Sequence, residues 1–299
     1  QKNYRNTSKY LKALLYYKTS PFYESRHVRN YTHTNNWEVL EIAFQLKRFG
    51  FSVDVVDRSE KSFYPNNDYD LFIGLAGCGS GRFFGRYANK LTRAVKIAYL
   101  TTSHPEDLDA RNARRYEWFN NRTAVEGKRM RADSSETSHL SSEIAHADYL
   151  FLISEQDTFS YSTYKKPNLL DKKLYLLYPS TKPDLQFNPS WAAERDRRKF
   201  ICFSGDGFIH KGIDLLIEAF LKMPQFHLTI CGPPSDDSFF TYYENIIKQS
   251  SNIDYKGFLN LGARHSYEIF SSHSFVILYS SSEALSTSVA SMMRVGLVP

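Results

Sequence analysis

The sequence predicts an α/β protein of two domains, each built on parallel strands, and three observations predict it. Short apolar runs fit for buried strands alternate with stretches whose apolar residues recur at helical spacing. An aperiodic segment with two prolines and a closing charge cluster, KPDLQFNPSWAAERDRR at 182–198, separates two such series and reads as a linker. A chain of 299 residues is long enough for two domains of ordinary size, which we place at 1–185 and 186–299.

In chain order, Ala13 to Tyr17 is the first strand. The polar, aromatic loop KTSPFYESRHVRNYTHTN follows, and a connection that long usually carries function. Asn35 is placed to cap the next helix, with Glu38 three residues on. Val39, Leu40, Ala43, Phe44 and Leu46 form its apolar face, and Gly50 closes it. Val53 to Val56 is the second strand. Asp70 to Ile73 is the third, followed by GLAGCGSGR. Val95 to Leu100 is the fourth, followed by TTSHPEDLD. Tyr149 to Ile153 is the fifth and Leu174 to Leu177 a sixth, so the first half implies a Rossmann-like domain.

The second domain opens with a strand at Phe200 to Ser204 and a helix at Ile213 to Phe220, with Leu216 and Ala219 among its apolar positions. Strands at Leu228 to Cys231, from Asp254 to Phe258, and at Val276 to Tyr279 follow. The polar loop Ser280 to Glu283 leads to a helix from Thr287 with Val289, Met292 and Met293 on one face. Gly296 ends it, and Leu297 and Val298 begin another strand. A parallel sheet ending there would leave an edge uncovered, so the second domain reads as truncated.

Composition bounds the function class. With 42% hydrophobic and 23% charged residues the chain reads as soluble and globular. No apolar run approaches the roughly 20 residues needed to cross a bilayer. The opening QKNYRNTSKYLKALLYY has neither the apolar core nor the cleavage site of a secretion signal. Cys78, Cys202 and Cys231 are scattered and odd in number, as expected of buried thiols in a cytoplasmic protein. In that compartment the glycosylation sequons at Asn6, Asn30 and Asn121 carry no meaning. A net charge of +6 fits acidic partners such as nucleotides or an anionic membrane face, and equally a modestly basic protein with no such partner. Within 111–140, Arg111, Arg114, Arg115, Arg122, Lys128, Arg129 and Arg131 crowd around Trp118 and Phe119. The stretch 111–131 reads either as peripheral contact with an anionic membrane or as a solvated loop. No nucleic-acid module stands behind it.

Two segments carry the chemistry. In VILYSSSEALSTSVASMMRVGLVP, strand, loop and helix follow one another, and the N–H groups of Thr287, Ser288 and Val289 at the helix start suit an anion such as a diphosphate. In FSGDGFIHKGIDLLIEAF at 203–220, Lys211 lies between a strand and a helix, where it can neutralise a diphosphate leaving group.

Together these segments resemble the nucleotide-sugar site of the GT-B glycosyltransferases, in particular glycosyltransferase family 4. The resemblance is strong over about 199–299 and rests on layout alone over 1–185. It implies two Rossmann-like domains facing each other across a cleft, with a nucleotide-diphospho-sugar in the second and a glycan or lipid acceptor in the first. Gly205 matches the family's glycine, Lys211 its phosphate-binding lysine and Glu283 the first of its two glutamates. The family's arginine falls on Asp206, and its second glutamate, which grips the ribose, falls on Ser291. His104 matches a histidine that faces the donor sugar, and the loop with Thr34, Asn35 and Asn36 faces the same cleft toward acceptor or donor. The resemblance thus implies His104, Lys211 and Glu283 as catalytic residues. Gly205, Asp206, Lys211, Glu283, Thr287, Ser288, Val289 and Ser291 would hold the donor.

It further implies retention at the anomeric carbon, with no metal or cofactor beyond the donor. Asp107-Leu-Asp109 imitates the metal-binding DxD of the other glycosyltransferase fold and reads as chance in this context. Gly77, Gly79 and Gly81 read as a tight turn, since the Walker Lys-Ser/Thr is missing. The exchanges at 206 and 291 keep a second reading open, a non-catalytic descendant that binds a sugar or a partner.

Overall fold

The computed structural model describes residues 11–23, 33–66, 68–77, 83–127, 141–182, 185–234, 237–281 and 283–299. Cys78, Gly79, Gly81, Thr32, Lys128, Arg129, Arg131, Asn6 and Asn30 lie outside them.

The first sheet contains β1 (Leu11–Tyr17), β2 (Phe51–Asp57), β3 (Leu71–Leu75), β4 (Val95–Leu100), β5 (Tyr149–Ile153) and β6 (Lys173–Leu177). All pairs are parallel, in the order β2-β1-β3-β4-β5-β6. Helices α1 (Ser20–Tyr23), α2 (Asn35–Arg48), α3 (Phe84–Lys90), α4 (Pro105–Thr123) and α5 (Phe159–Thr163) follow strands in the chain. Alternate strand residues feed two cores. Leu14, Tyr16, Phe72, Ala98 and Leu150 pack with Tyr87 of α3 on one face. Leu15, Tyr17, Leu75, Tyr99 and Ile153 pack with Val39 and Ala43 of α2 on the other. Burial of both faces is the reason the strands read as near-continuous apolar runs.

The second sheet contains β7 (Asp196–Phe203), β8 (His227–Cys231), β9 (Ile253–Tyr255) and β10 (His273–Val276), parallel and ordered β10-β7-β8-β9. Around it lie α6 (Trp191–Glu194), α7 (Ile213–Leu221), α8 (Asp237–Gln249), α9 (Arg264–Ser271) and α10 (Thr287–Arg294). The strand expected at Leu297 and Val298 is present as a parallel bridge from Val298 to Phe275.

Several expectations are corrected. The last strand lies earlier than Val276–Tyr279, because His273 is a buried strand residue whose ring bonds Thr229 Oγ1 at 2.8 Å and the Ile269 carbonyl at 2.7 Å. The charge cluster assigned to the linker belongs to β7, and Leu185 of the linker is buried in the second domain's core. The capping box at Asn35 and Glu38 does not form. Thr34 precedes the helix with no side-chain cap, and the Glu38 carboxylate turns inward to Tyr17 Oη (2.8 Å) and Ser180 Oγ (2.6 Å). Phe44, placed on the apolar face, is 55% exposed.

Residues 105–123 form one helix, and part of its basic stripe is internal to the molecule rather than turned to a membrane. Tyr116, Phe119 and Val125 join the core built by Ile209, Ile213, Phe239 and Tyr243 of the second domain. Asp214, fully buried in the first turn of α7, receives Arg115 Nη2 and, at 2.5 Å, Arg122 Nη2. Arg122 also meets Glu218 and the Tyr243 hydroxyl, each at 3.0 Å. Arg111 stacks over Phe159 with its guanidinium 4.0 Å from the ring centre, while Arg114 is exposed. Among the described residues, no helix is long and apolar enough to cross a membrane.

Candidate functional site

An open parallel sheet binds ligands outside the carboxyl ends of its strands, at the point where strand order reverses. In the second sheet the chain runs outward from β7 through β8 to β9, then returns to lay β10 on the other side of β7. The reversal therefore lies between β7 and β10. The loop after β7 carries Lys211, and the loop after β10 carries Glu283. Lys211 Nζ pairs with Glu283 Oε1, so two residues 72 positions apart in sequence meet at the switch point.

Glycine and hydroxyl groups hold the two loops together. Gly212 takes a left-handed conformation (φ 68°) at the entry to α7, and a Cβ there would run into the Tyr279 carbonyl. The His210 carbonyl accepts from Ser281 N at 2.8 Å, Ser281 Oγ at 3.0 Å and Ser280 Oγ at 3.3 Å. Lys211 closes a tight, buried loop, its N–H donating to the Gly207 carbonyl at 3.1 Å, and its ammonium is mostly enclosed.

Helix α10 starts beside this pair. Ser286 caps it, accepting from Val289 N at 3.3 Å. This corrects the expectation that the Val289 amide is free. The amides of Thr287 and Ser288 have no acceptor among the described residues and remain aligned with the positive end of the helix dipole. Ser291 is buried, and its hydroxyl proton is committed to the Thr287 carbonyl of its own helix at 2.7 Å. Asp206 is exposed and pairs with no cation among the described residues, and Gly205 beside it is open to solvent.

The first domain closes over these loops. Thr34 Oγ1 donates to Thr287 Oγ1 at 2.9 Å, which brings the start of α2 against the start of α10. Asn35 lies in the first turn of α2 with its N–H on His33 Nδ1 at 3.2 Å. Asn36 is buried, its side-chain oxygen accepting from Lys18 Nζ at 2.7 Å.

His104 is the residue before α4 and is 1% exposed. Both ring nitrogens lack a hydrogen-bond partner, and the nearest carboxylate, Asp107 Oδ2, is 3.8 Å from Nδ1. Burial, with repulsion from Lys166, lowers its pKa to about 4, so the ring is neutral at pH 7. Asp107 is committed to Lys166 at 2.8 Å inside a helix, where positions two apart diverge, so Asp107 and Asp109 do not form a DxD pincer. The hydrogen-bonded group of Tyr17, Glu38 and Ser180 has no recognisable sequence signal, since its members come from β1, α2 and the segment after β6.

Residues 187–299 match the model of the family described as glycosyl transferases group 1. No curated protein matches the chain. Among solved structures, the catalytic domain of starch synthase IV from Arabidopsis thaliana, bound to ADP and acarbose, is 12% identical with a TM-score of 0.56. That match covers 97% of this chain and 82% of the other. Anabaena Alr3699/HepE, in complex with UDP and glucose, is 13% identical with a TM-score of 0.55, over 96% of this chain and 79% of the other. The pneumococcal O-GlcNAc transferase GtfA, in complex with UDP and GlcNAc, is 15% identical over 77% of this chain with a TM-score of 0.46. This chain spans 42% of its length.

Proposed function

From the GT-B fold of this chain and the match of its residues 187–299 to the glycosyl transferases group 1 family, we propose that it is a glycosyltransferase that moves a sugar from a nucleotide-diphospho-sugar to a hydroxyl of a glycan or lipid. The observation that carries the proposal is the Lys211–Glu283 pair at the switch point, next to the open amides of α10. Cytoplasmic placement fits the buried thiols of Cys202 and Cys231.

In this reading the pair is the resting state of the donor site. A diphosphate takes Lys211, and Glu283 is released to accept from sugar hydroxyls. As the anomeric C–O bond breaks, its electrons pass to the diphosphate oxygen. Lys211 and the amides of Thr287 and Ser288 neutralise that charge where it develops. The acceptor oxygen bonds to the anomeric carbon, and its proton leaves with the diphosphate. Retention of configuration and independence of a metal are part of the proposal. A neutral, buried His104 with two unsatisfied nitrogens gains most from a sugar hydroxyl, since an orphaned buried polar group costs about 1–3 kcal/mol. Thr34, Asn35 and Asn36 sit beside the donor helix, where the acceptor would approach.

Thermal-shift screening against UDP-, GDP- and ADP-sugars identifies the donor. Calorimetry on Lys211→Ala then tests the site. Loss of a charge-assisted bond to phosphate, worth about 1.5–3 kcal/mol, should weaken the donor about ten- to a hundredfold with the fold intact. Unchanged affinity would exclude the role.

A second reading, non-catalytic binding of a sugar or partner, is favoured by the exposed Asp206 and by the Ser291 hydroxyl turned back on its own helix. Donor binding without release of nucleoside diphosphate, across a panel of glycan and lipid acceptors, would support it.

A further inference from the structure

The loop that carries Glu283 is held from the opposite domain at every second position. Ser281 Oγ lies 3.3 Å from Asn112 Oδ1 of α4, an acceptor its single proton can take in place of the His210 carbonyl at 3.0 Å. The Glu283 carbonyl accepts from Ser160 Oγ of α5 at 3.1 Å. Leu285 packs into the first domain's core with Tyr17, Val39, Tyr99 and Ile153. Thr287 Oγ1 accepts from Thr34 Oγ1 at 2.9 Å. The Glu283 carboxylate itself turns back to Lys211 of the second domain, and the Ser280 hydroxyl to the His210 carbonyl.

Of the four tethers, the one at Glu283 is the most enclosed. Ser160 is 2% exposed and Ser103 1%, and their hydroxyls share a hydrogen bond of 2.8 Å. Ser103 is the neighbour of His104, whose own N–H donates to Thr163 Oγ1 of the same short helix at 2.9 Å. One unit of the first domain, Ser103, His104 and α5, therefore fixes both the candidate histidine and the backbone of Glu283. A serine hydroxyl has one proton. With that proton on the Glu283 carbonyl, Ser160 Oγ accepts from Ser103.

We infer that Ser160 is a positioning residue for recognition of the donor sugar. It holds the Glu283 backbone across the domain interface, so the carboxylate meets the sugar only when the two domains are together. The inference rests on the donor-site reading above. Diphosphate binding has a different basis, Lys211 and the α10 amides, and does not pass through Ser160.

Two measurements on the full chain test it. Hydrogen exchange in Ser160→Ala should quicken at the Ser281 amide, which rests on the His210 carbonyl two residues before Glu283, by about three- to tenfold, the effect of one lost hydrogen bond. Calorimetry with UDP-glucose, GDP-mannose and ADP-glucose, each against its bare nucleotide, should show the sugar's gain in affinity falling by a similar factor. The bare nucleotide should bind as before, and Ser160→Thr should restore both readouts. Unchanged exchange, or equal loss of nucleotide and nucleotide sugar, would overturn the role of Ser160. Quickened exchange in a protein whose wild type binds none of the three donors would overturn the donor-site reading and the sugar role with it.

Discussion

His104 and His273 are both enclosed and both neutral, for different local reasons. Burial lowers each pKa from 6.5 to about 4. His273 is satisfied, donating from Nδ1 to the Ile269 carbonyl and accepting from Thr229 at Nε2. His104 has no such partners. Because protonation favours the unfolded chain in each case, their contribution is complete above pH 6.5 and is lost as pH falls from 6.5 toward 4. Full loss amounts to about 3 kcal/mol per group. Urea unfolding at pH 4.5, 5.5 and 7 should therefore show steep acid lability in the wild type. His104→Phe should flatten the curve without lowering stability at pH 7, because it removes two unsatisfied nitrogens. The same variant should lose sugar transfer if the ring contacts donor. A flat wild-type profile would refute the titration argument.

The loop between β7 and α7 depends on the absence of a side chain at Gly212. Two penalties apply there, a left-handed backbone and a Cβ pressed on the Tyr279 carbonyl. Gly212→Ala should destabilise the protein by about 1–3 kcal/mol. It should also weaken nucleotide binding, since relief of the clash separates the Lys211 loop from the Glu283 loop. Gly205→Ala serves as the control. Nothing lies near the added methyl and the position is exposed, so chemical unfolding should stay close to wild type. Equal effects at 205 and 212 would show that chain stiffness, and not the contact with Tyr279, matters.

At the scale of the molecule, α4 belongs to the first domain by sequence and to the second by packing. Phe119 is fully buried among residues of α7 and α8, and Asp214 is surrounded by two arginines from α4. Breaking a buried ion pair by removing one partner costs about 3–5 kcal/mol, because the other charges are left uncompensated. Asp214→Asn should therefore destabilise strongly, and the further change Arg115→Leu should recover part of the loss. With the interface intact, the two domains should unfold in one transition, with calorimetric and van't Hoff enthalpies equal. In Phe119→Ala, which removes about 3–5 kcal/mol of packing, the transition should split in two. A wild type that already melts in two steps would show that the interface does not couple the domains.

The sequence by itself determined every strand of both sheets except the placement of β10, because apolar runs such as those ending in Leu100 and Ile153 are local and their closing residues are buried on both faces. It determined Lys211, Glu283 and the start of α10 as the candidate site, because strand, loop and helix are adjacent in the chain and the segment matches a family pattern. Wherever a residue's partner is distant, only the tertiary structure decided. Glu38 reads as a helix cap until Tyr17 and Ser180 claim its carboxylate, since hydrogen bonds inside outweigh a cap at the surface. Arg115 and Arg122 read as a surface charge run until Asp214 is placed beneath them from 92 or more positions away. Ser160 carries no sequence signal at all. A serine in a short polar stretch acquires a role only when folding sets it 3.1 Å from a carbonyl 123 residues downstream, and composition and periodicity record side-chain chemistry but not that distance.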